Sequence, residues 1–311
     1  MESSSRPRPP PGGPSGRFPN YKAERTTSGK SDVRSANDLA GAGYRPIESD
    51  LDRIAYVDDW RRSSAKQGNQ FYRAQDFLKA VEWYRYATYL NPDLDLAYYN
   101  TALAYMALYR PGSKHPKDVR FSDAAITNLK RYISVHPDND DAKNYLLTVY
   151  LGAERYDEAA QFFQEELKLR GSDPALASKL MQVIGMIYAK KGDFDLSLEW
   201  YKKRADVEKD NPEVLYTIGV LCWDKVYHGG LTVDLDRRKL LIDMGLDYLN
   251  RAMALRENYF EAVSYVNLMY REKAKLAQQV GNNDDFVKYN DEANKYMKMA
   301  LDMRKKAMAQ K

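Results

Sequence analysis

A fixed set of small and bulky residues returns at one spacing through most of this chain, and that recurrence limits its fold more than any other feature. Residues 61–94 carry Gly68, Phe71, Ala80, Tyr84, Ala87 and Pro92, at positions 8, 11, 20, 24, 27 and 32 of a 34-residue repeat. Ala102, Tyr105, Ala125, Leu129 and Pro137 follow in a second stretch. Leu147, Tyr150, Ala159 and Phe163 mark a third, with a late Pro174. A fourth shows Gly185, Tyr188, Gly192, Ser197 and Tyr201, with a late Pro212. The fifth is weaker (Gly219, Gly245, Leu249, Ala252), and the last has Tyr270, Ala293, Met297 and Ala300. The spacing has a physical cause. Small residues at 8 and 20 let two helices approach closely, bulky residues at 11 and 24 fill the space beside them, and a small residue at 27 admits the next helix. Proline then ends the second helix, because it has no amide hydrogen to donate and clashes with the preceding turn.

The pattern resembles the tetratricopeptide repeat family, whose 34-residue unit is a helix–turn–helix. The usual Trp and Leu at positions 4 and 7 are replaced by Ser64 and Gln67. The resemblance implies an all-α, right-handed superhelical solenoid of about six helical hairpins over residues 48–311. The repeats fall near 61–94, 95–139, 140–177, 178–211, 212–259 and 260–311. Three of them are stretched between their helices, around Pro111–Arg120, His228–Asp234 and Gly281–Asp285. If these inserts are loops, they crowd one rim of the stack. The stretches Trp223–Tyr227 and Arg271–Lys275 are similar to large-insert bacterial members of the family. The final Lys/Arg-rich helix is expected to close the last apolar surface of the array.

Residues 1–47 are of another kind. They hold seven of the thirteen prolines and eight Lys/Arg against four Asp/Glu, which is the whole formal net charge of +4. Too little apolar surface is available there to offset the entropy of ordering, so the segment is predicted to be a disordered, basic, Pro-rich tail. Pro7–Pro11 can hold a short polyproline II turn. Order is expected to begin near Ser49, where Ser49 and Asp52 form a capping pattern ahead of Leu51, Ile54 and Val57. The repeats carry balanced charge and give no clustered basic face for nucleic acid. No run of eighteen apolar residues spans a membrane. Met1–Gly16 has no apolar core of a secretory signal, so a cytoplasmic location is expected, or an envelope-associated one if translation starts upstream. The single cysteine, Cys222, excludes an intramolecular disulfide.

Chemistry-bearing residues do not gather. His115, His136 and His228 lie near turns of different repeats, without a second ligand at metal spacing, so neither a metal nor a cofactor is expected. Cys222 and His228 are six apart across a Gly229-Gly230 break, a poor nucleophile–base pair, and position 11 of a repeat is more simply a buried apolar site. Gly229-Gly230 leads to no Lys-Ser/Thr and cradles no phosphate. No enzymatic activity is expected.

Binding is therefore assigned to the face made by the first helix of each repeat. By the resemblance, positions 2, 5, 9, 12 and 13 line a concave groove. The partner-binding residues so predicted are Asn69, Tyr72, Arg73, Tyr99, Asn100, Met106, Asn144 and Trp223. Aromatic rings and methionine among amides suit a peptide or a helix of a partner protein. One subset of the family grips the C-terminal carboxylate of chaperones with three cations and two asparagines. Asn69 and Asn100 match that pattern, but Ala65, Asp141 and Tyr145 occupy the cationic positions, and Asp141 repels a carboxylate, which argues against a chaperone tail. The resulting expectation is a protein–protein interaction scaffold. The alternative is an assembly or structural subunit of a bacterial cell-envelope machine, and a third possibility is an array that regulates a catalytic partner.

Overall fold

In a computed structural model, residues 63–309 are described. The predicted tail 1–47 and the expected capping pattern at Ser49 lie outside those residues. The described chain is helical, with no strand among its residues. Helix α1 runs over 63–73, followed by α2 Phe77–Leu90, α3 Asp95–Leu108, α4 Pro116–Val135 and α5 Asp140–Gly152. Next come α6 Tyr156–Arg170, α7 Pro174–Lys191, α8 Phe194–Val207 and α9 Pro212–Gly229. A single 3-10 turn, Gly230–Thr232, leads to α10 Leu235–Leu255, α11 Phe260–Gln279 and α12 Asn283–Ala309. Odd-numbered helices are the first of each repeat and even-numbered ones the second.

Helix starts follow from local chemistry. Asp76, Asn139, Asp173, Asp193, Asn211 and Asp234 each accept a hydrogen bond from a backbone amide in the first turn of the helix that follows. Those amides have no partner inside the helix, so a short oxygen-bearing side chain just ahead of it fixes the start. The two late prolines do not end a helix. Pro174 and Pro212 open α7 and α9, where a missing amide hydrogen costs nothing, while Pro92 and Pro137 lie in turns between repeats. The unexpanded repeats turn from first to second helix through one left-handed residue at position 15: Gln75 (φ 60°), Glu154 (φ 58°) and Gly192 (φ 86°). Only at Gly192 is that backbone free of a Cβ penalty.

Two compact units divide the described chain, with the boundary between Ala153 and Glu154. In the first, α2 packs on α3, α3 on α4 and α4 on α5. Ala80, Tyr84, Ala87, Ala102, Leu129 and Leu146 are buried. In the second, each helix packs on the next from α6 to α12, and α9 also touches α11. Its core runs through Tyr201, Leu215, Ile218, Cys222, Leu241, Leu249 and Met269. The pairing of a small position 8 with a bulky position 24 holds in both units. A Cβ placed on Gly68 would lie 2.5 Å from the Tyr84 ring, one on Gly185 2.8 Å from Tyr201, and one on Gly219 2.4 Å from Leu249 Cγ. Gly245, at position 20, is held instead by the following repeat, where Met269 Cε would sit 2.1 Å from an added Cβ.

Four expectations are corrected. The inserts do not form rim loops, because the extra residues mostly lengthen helices. Pro116–Arg120 is the first turn of α4, His228 and Gly229 end α9, and Asn283–Asp285 begin α12. The second helices of these repeats reach 20, 21 and 27 residues. Position 27 is small in Ala87, Ala252 and Ala300, but Tyr132 occupies it in the second repeat. In the last repeat Met297 does not fill position 24. It is 41% exposed, and Tyr296 takes the slot by stacking on Tyr270 at 5.7 Å. The closing helix leaves Met299, Leu301 and Met308 exposed beside its lysines, so basic residues do not cover the apolar end alone.

Candidate functional site on the first-helix face

In the first unit, Asn69 on α1 and Asn100 on α3 lie side by side: the Asn100 amide donates to Asn69 Oδ1 at 3.4 Å. The same oxygen accepts from the Tyr84 hydroxyl at 2.7 Å. Burial pushes that hydroxyl up to about 12, so it remains a donor throughout the working pH range. Asn69 Nδ2 and Asn100 Oδ1 have no partner among the described residues; Asn69 is exposed and Asn100 half-buried. Tyr72 is half-buried, with its ring edge-on to Phe77 at 5.2 Å. Arg73 is exposed, and Met106 half-buried on α3.

Tyr99 is the centre of a ring cluster. It meets Tyr132 of α4 at 4.8 Å and Tyr145 of α5 at 6.2 Å. Burial first, then the Tyr145 hydroxyl and the Asp141 carboxylate, raise its hydroxyl above the usual tyrosine range. Tyr132 in turn contacts the His136 ring at 4.5 Å, and His136 Nε2 lies 3.3 Å from Asp95. Asn144 is exposed on α5, one residue before Tyr145. Tyr145 and Tyr132 were not among the predicted residues. Their signal was the replacement of a clamp cation by Tyr145 and a ring at the supposedly small position 27.

Trp223 belongs to the second unit. It is half-buried against the α9–α11 core, stacked on Tyr227 at 4.8 Å and edge-on to Tyr265 at 5.3 Å. Its Nε1 is buried without an acceptor. Tyr216, two turns earlier, meets Tyr259 at 5.3 Å and Tyr265 at 5.6 Å. Glu213 accepts from the Tyr259 hydroxyl at 2.8 Å and from Arg256 at 2.6 Å, and the Arg256 guanidinium sits 4.4 Å above the Tyr259 ring. These bonds hold the Glu213 carboxyl below its ordinary value.

Cys222 is fully buried, and desolvation pushes its thiol up to about 12, while His228 is exposed and paired with Asp224 at 3.0 Å. At neutral pH the buried thiol is therefore protonated. His115 caps α4, its Nδ1 accepting from Lys117 N at 3.2 Å. Among the described residues no three of His, Cys, Asp and Glu converge as metal ligands, and no helix is long and apolar enough to cross a membrane.

Stacked helical hairpins with close small-to-bulky contacts, and a first-helix face of amides and rings, define a helical repeat protein. The tetratricopeptide repeat pattern matches residues 118–174. A photosystem I assembly protein Ycf3 from Rippkaea orientalis is 30% identical over 122 residues, which are 38% of this chain and 68% of that protein. Its counterpart from Acaryochloris marina is 26% identical over 108 residues, 35% of this chain and 64% of its own length. The chain thus spans about two thirds of the length of these relatives. A tetratricopeptide repeat protein from Bacteroides fragilis shares 16% identity, with a TM-score of 0.44 over 69% of this chain and 98% of that one. The chain belongs to the tetratricopeptide repeat family.

Proposed function

We propose that this protein is an interaction scaffold that holds a peptide or helical segment of a partner protein along its first-helix face. The observation that carries this is the hydrogen-bonded pair Asn69 and Asn100, one exposed and one half-buried, beside the Tyr99–Tyr145 rings. Amides with unmatched donors and acceptors can pair along an extended backbone, and rings supply contact area at low entropic cost. The buried thiol and scattered histidines support binding rather than catalysis. The relatives' own description as assembly proteins supports a second shade of the same reading, in which the bound partner is a subunit on its way into a larger complex; an envelope machine is one such setting.

The test is site-specific photo-crosslinking in native cells from Leu103 on α3, against Arg85 on α2 as a control. A partner captured from Leu103 alone is then titrated against Tyr99→Ala and Asn100→Ala. Asn100→Ala is expected to weaken binding by about 1–3 kcal/mol while leaving the melting curve nearly unchanged; Tyr99→Ala should weaken it by as much and also lower the melting midpoint, because it removes the ring contacts with Tyr132 and Tyr145. Unchanged affinity in both would refute the groove.

A further inference from the structure

The two units build the same three-ring element from partly different sequence positions. In the first, Tyr99 lies between Tyr132 (4.8 Å, planes at 41°) and Tyr145 (6.2 Å, 60°). In the second, Tyr216 lies between Tyr259 (5.3 Å, 41°) and Tyr265 (5.6 Å, 80°). Tyr99 and Tyr216 share position 5 of their repeats, and Tyr145 and Tyr265 share position 6 of the next. The acids beside them also correspond. Asp141 and Glu261 occupy one position, and each adds negative potential at the central tyrosine.

The difference lies in the cation. In the second unit Arg256 supplies it permanently, seated on the Tyr259 ring and ion-paired to Glu213, with Glu261 adding to its field. The register places His136 at the equivalent position of the first unit. An imidazole stands there in place of a guanidinium, and its Nε2 lies 3.3 Å from Asp95. Asp141 is exposed and has no ion pair among the described residues. Tyr145 is 39% exposed, so ring surface remains open beside it. An aromatic face next to an unpaired carboxylate attracts a positive group twice over, through the ring quadrupole and through charge.

We infer that the Tyr99–Tyr145–Asp141 patch of the first unit takes an arginine or lysine side chain of the bound partner, the role that Arg256 fills internally in the second unit. This rests on the first-helix face being the binding face and gives its ligand a chemistry. It also inverts the polarity of a carboxylate-gripping repeat, since the positions that would carry cations now carry an acid and a ring.

The test uses the full chain and the tripeptide acetyl-Gly-Arg-Gly-amide, followed by NMR of labelled tyrosine rings. Saturable shifts at the Tyr99 and Tyr145 rings are expected, and acetyl-Gly-Lys-Gly-amide should behave alike. The citrulline tripeptide, equal in shape but neutral, should bind about three- to thirtyfold more weakly. Asp141→Asn should weaken the arginine probe about two- to fivefold, and Glu261→Gln should not change the shifts at Tyr99. Both substituted acids are exposed, so the fold is retained. Equal binding of the citrulline probe, or an unaltered affinity in Asp141→Asn, would overturn the inference while leaving the groove itself standing. Tighter probe binding when Arg6, Arg8 and Arg17 are changed to glutamine would assign the patch to this chain's own basic segment and overturn the partner assignment. Conversely, probe binding with no crosslinked partner at Leu103 would remove the groove and keep the cation site.

Discussion

Gly219→Ala is expected to destabilise the second unit, although alanine is the better helix former. An ideal Cβ on Gly219 would lie 2.4 Å from Leu249 Cγ and 2.7 Å from Cδ2. Unbonded carbons rest at about 3.5–4.0 Å, so the shortfall is roughly 1 Å. The branch point of Leu249 cannot swing away as a flexible chain end can, and Leu249 is fully buried among Ile218, Cys222 and Leu246. Overpacking of this kind costs about 1–3 kcal/mol, and the helix-propensity gain returns up to ~1, which leaves a net loss of roughly 1–2 kcal/mol. Leu249→Ala alone should cost about 2–5 kcal/mol through the cavity it opens. In the double variant the new methyl group enters that cavity, so the loss should fall short of the sum by about 1–2 kcal/mol. Urea titrations followed by circular dichroism give the midpoints at constant slope. Hydrogen exchange of α9 and α10 amides localises the effect, since stacked hairpins open in part. A neutral or stabilising Gly219→Ala, as at a solvent-facing helix glycine, or strict additivity in the pair, would refute the close-approach argument.

Three further outcomes follow from the geometry. Trp223→Ala should cost roughly 2–4 kcal/mol of stability because its ring packs on the core, whereas Trp223→Phe should stay within ~1 kcal/mol, since it removes a buried N–H that has no acceptor; a wild-type melt for the alanine variant would show that the ring is not packed. The Asp118 carboxylate accepts from Ser113 at 2.6 Å and from Arg110 at 3.1 Å, which lowers its pKa. A lowered pKa stabilises the folded state above the unfolded value and loses that stabilisation as pH falls through the folded one. The stability gap between wild type and Asp118→Asn, read from urea midpoints, should thus be full near pH 7 and narrow below the ordinary carboxylate value of 3.8. Finally, Cys222 should resist a thiol reagent at pH 8 in the native protein and react fully in urea; rapid native labelling would contradict its burial.

How much of this was legible in the sequence differs by residue. Gly68, Tyr84, Gly185 and Tyr201 announced helix-on-helix contacts, because a missing side chain opposite a ring has one economical use at that spacing. The face carrying Asn69, Asn100 and Tyr99 could also be placed, since helical periodicity assigns a side chain to a face without any knowledge of neighbours. The inserts were misjudged because length alone does not distinguish a loop from an added helical turn; that choice depends on what the extra turn packs against, as in α4 and α10. Met297 shows the same limit. Its spacing matched position 24, yet Tyr296 stacks on Tyr270 and wins the slot, and only facing surfaces decide between adjacent residues. Trp223 had the spacing of a groove residue and the packing of a half-buried one. The three-ring elements were invisible along the chain, because Tyr132 and Tyr259 reach equivalent places from different repeat positions. Periodicity along one chain therefore determined which helices form and which faces they bury. Which rings meet, which acid keeps its cation and which is left to attract one were decided by contacts between repeats, where the distances are set by side chains far apart in sequence.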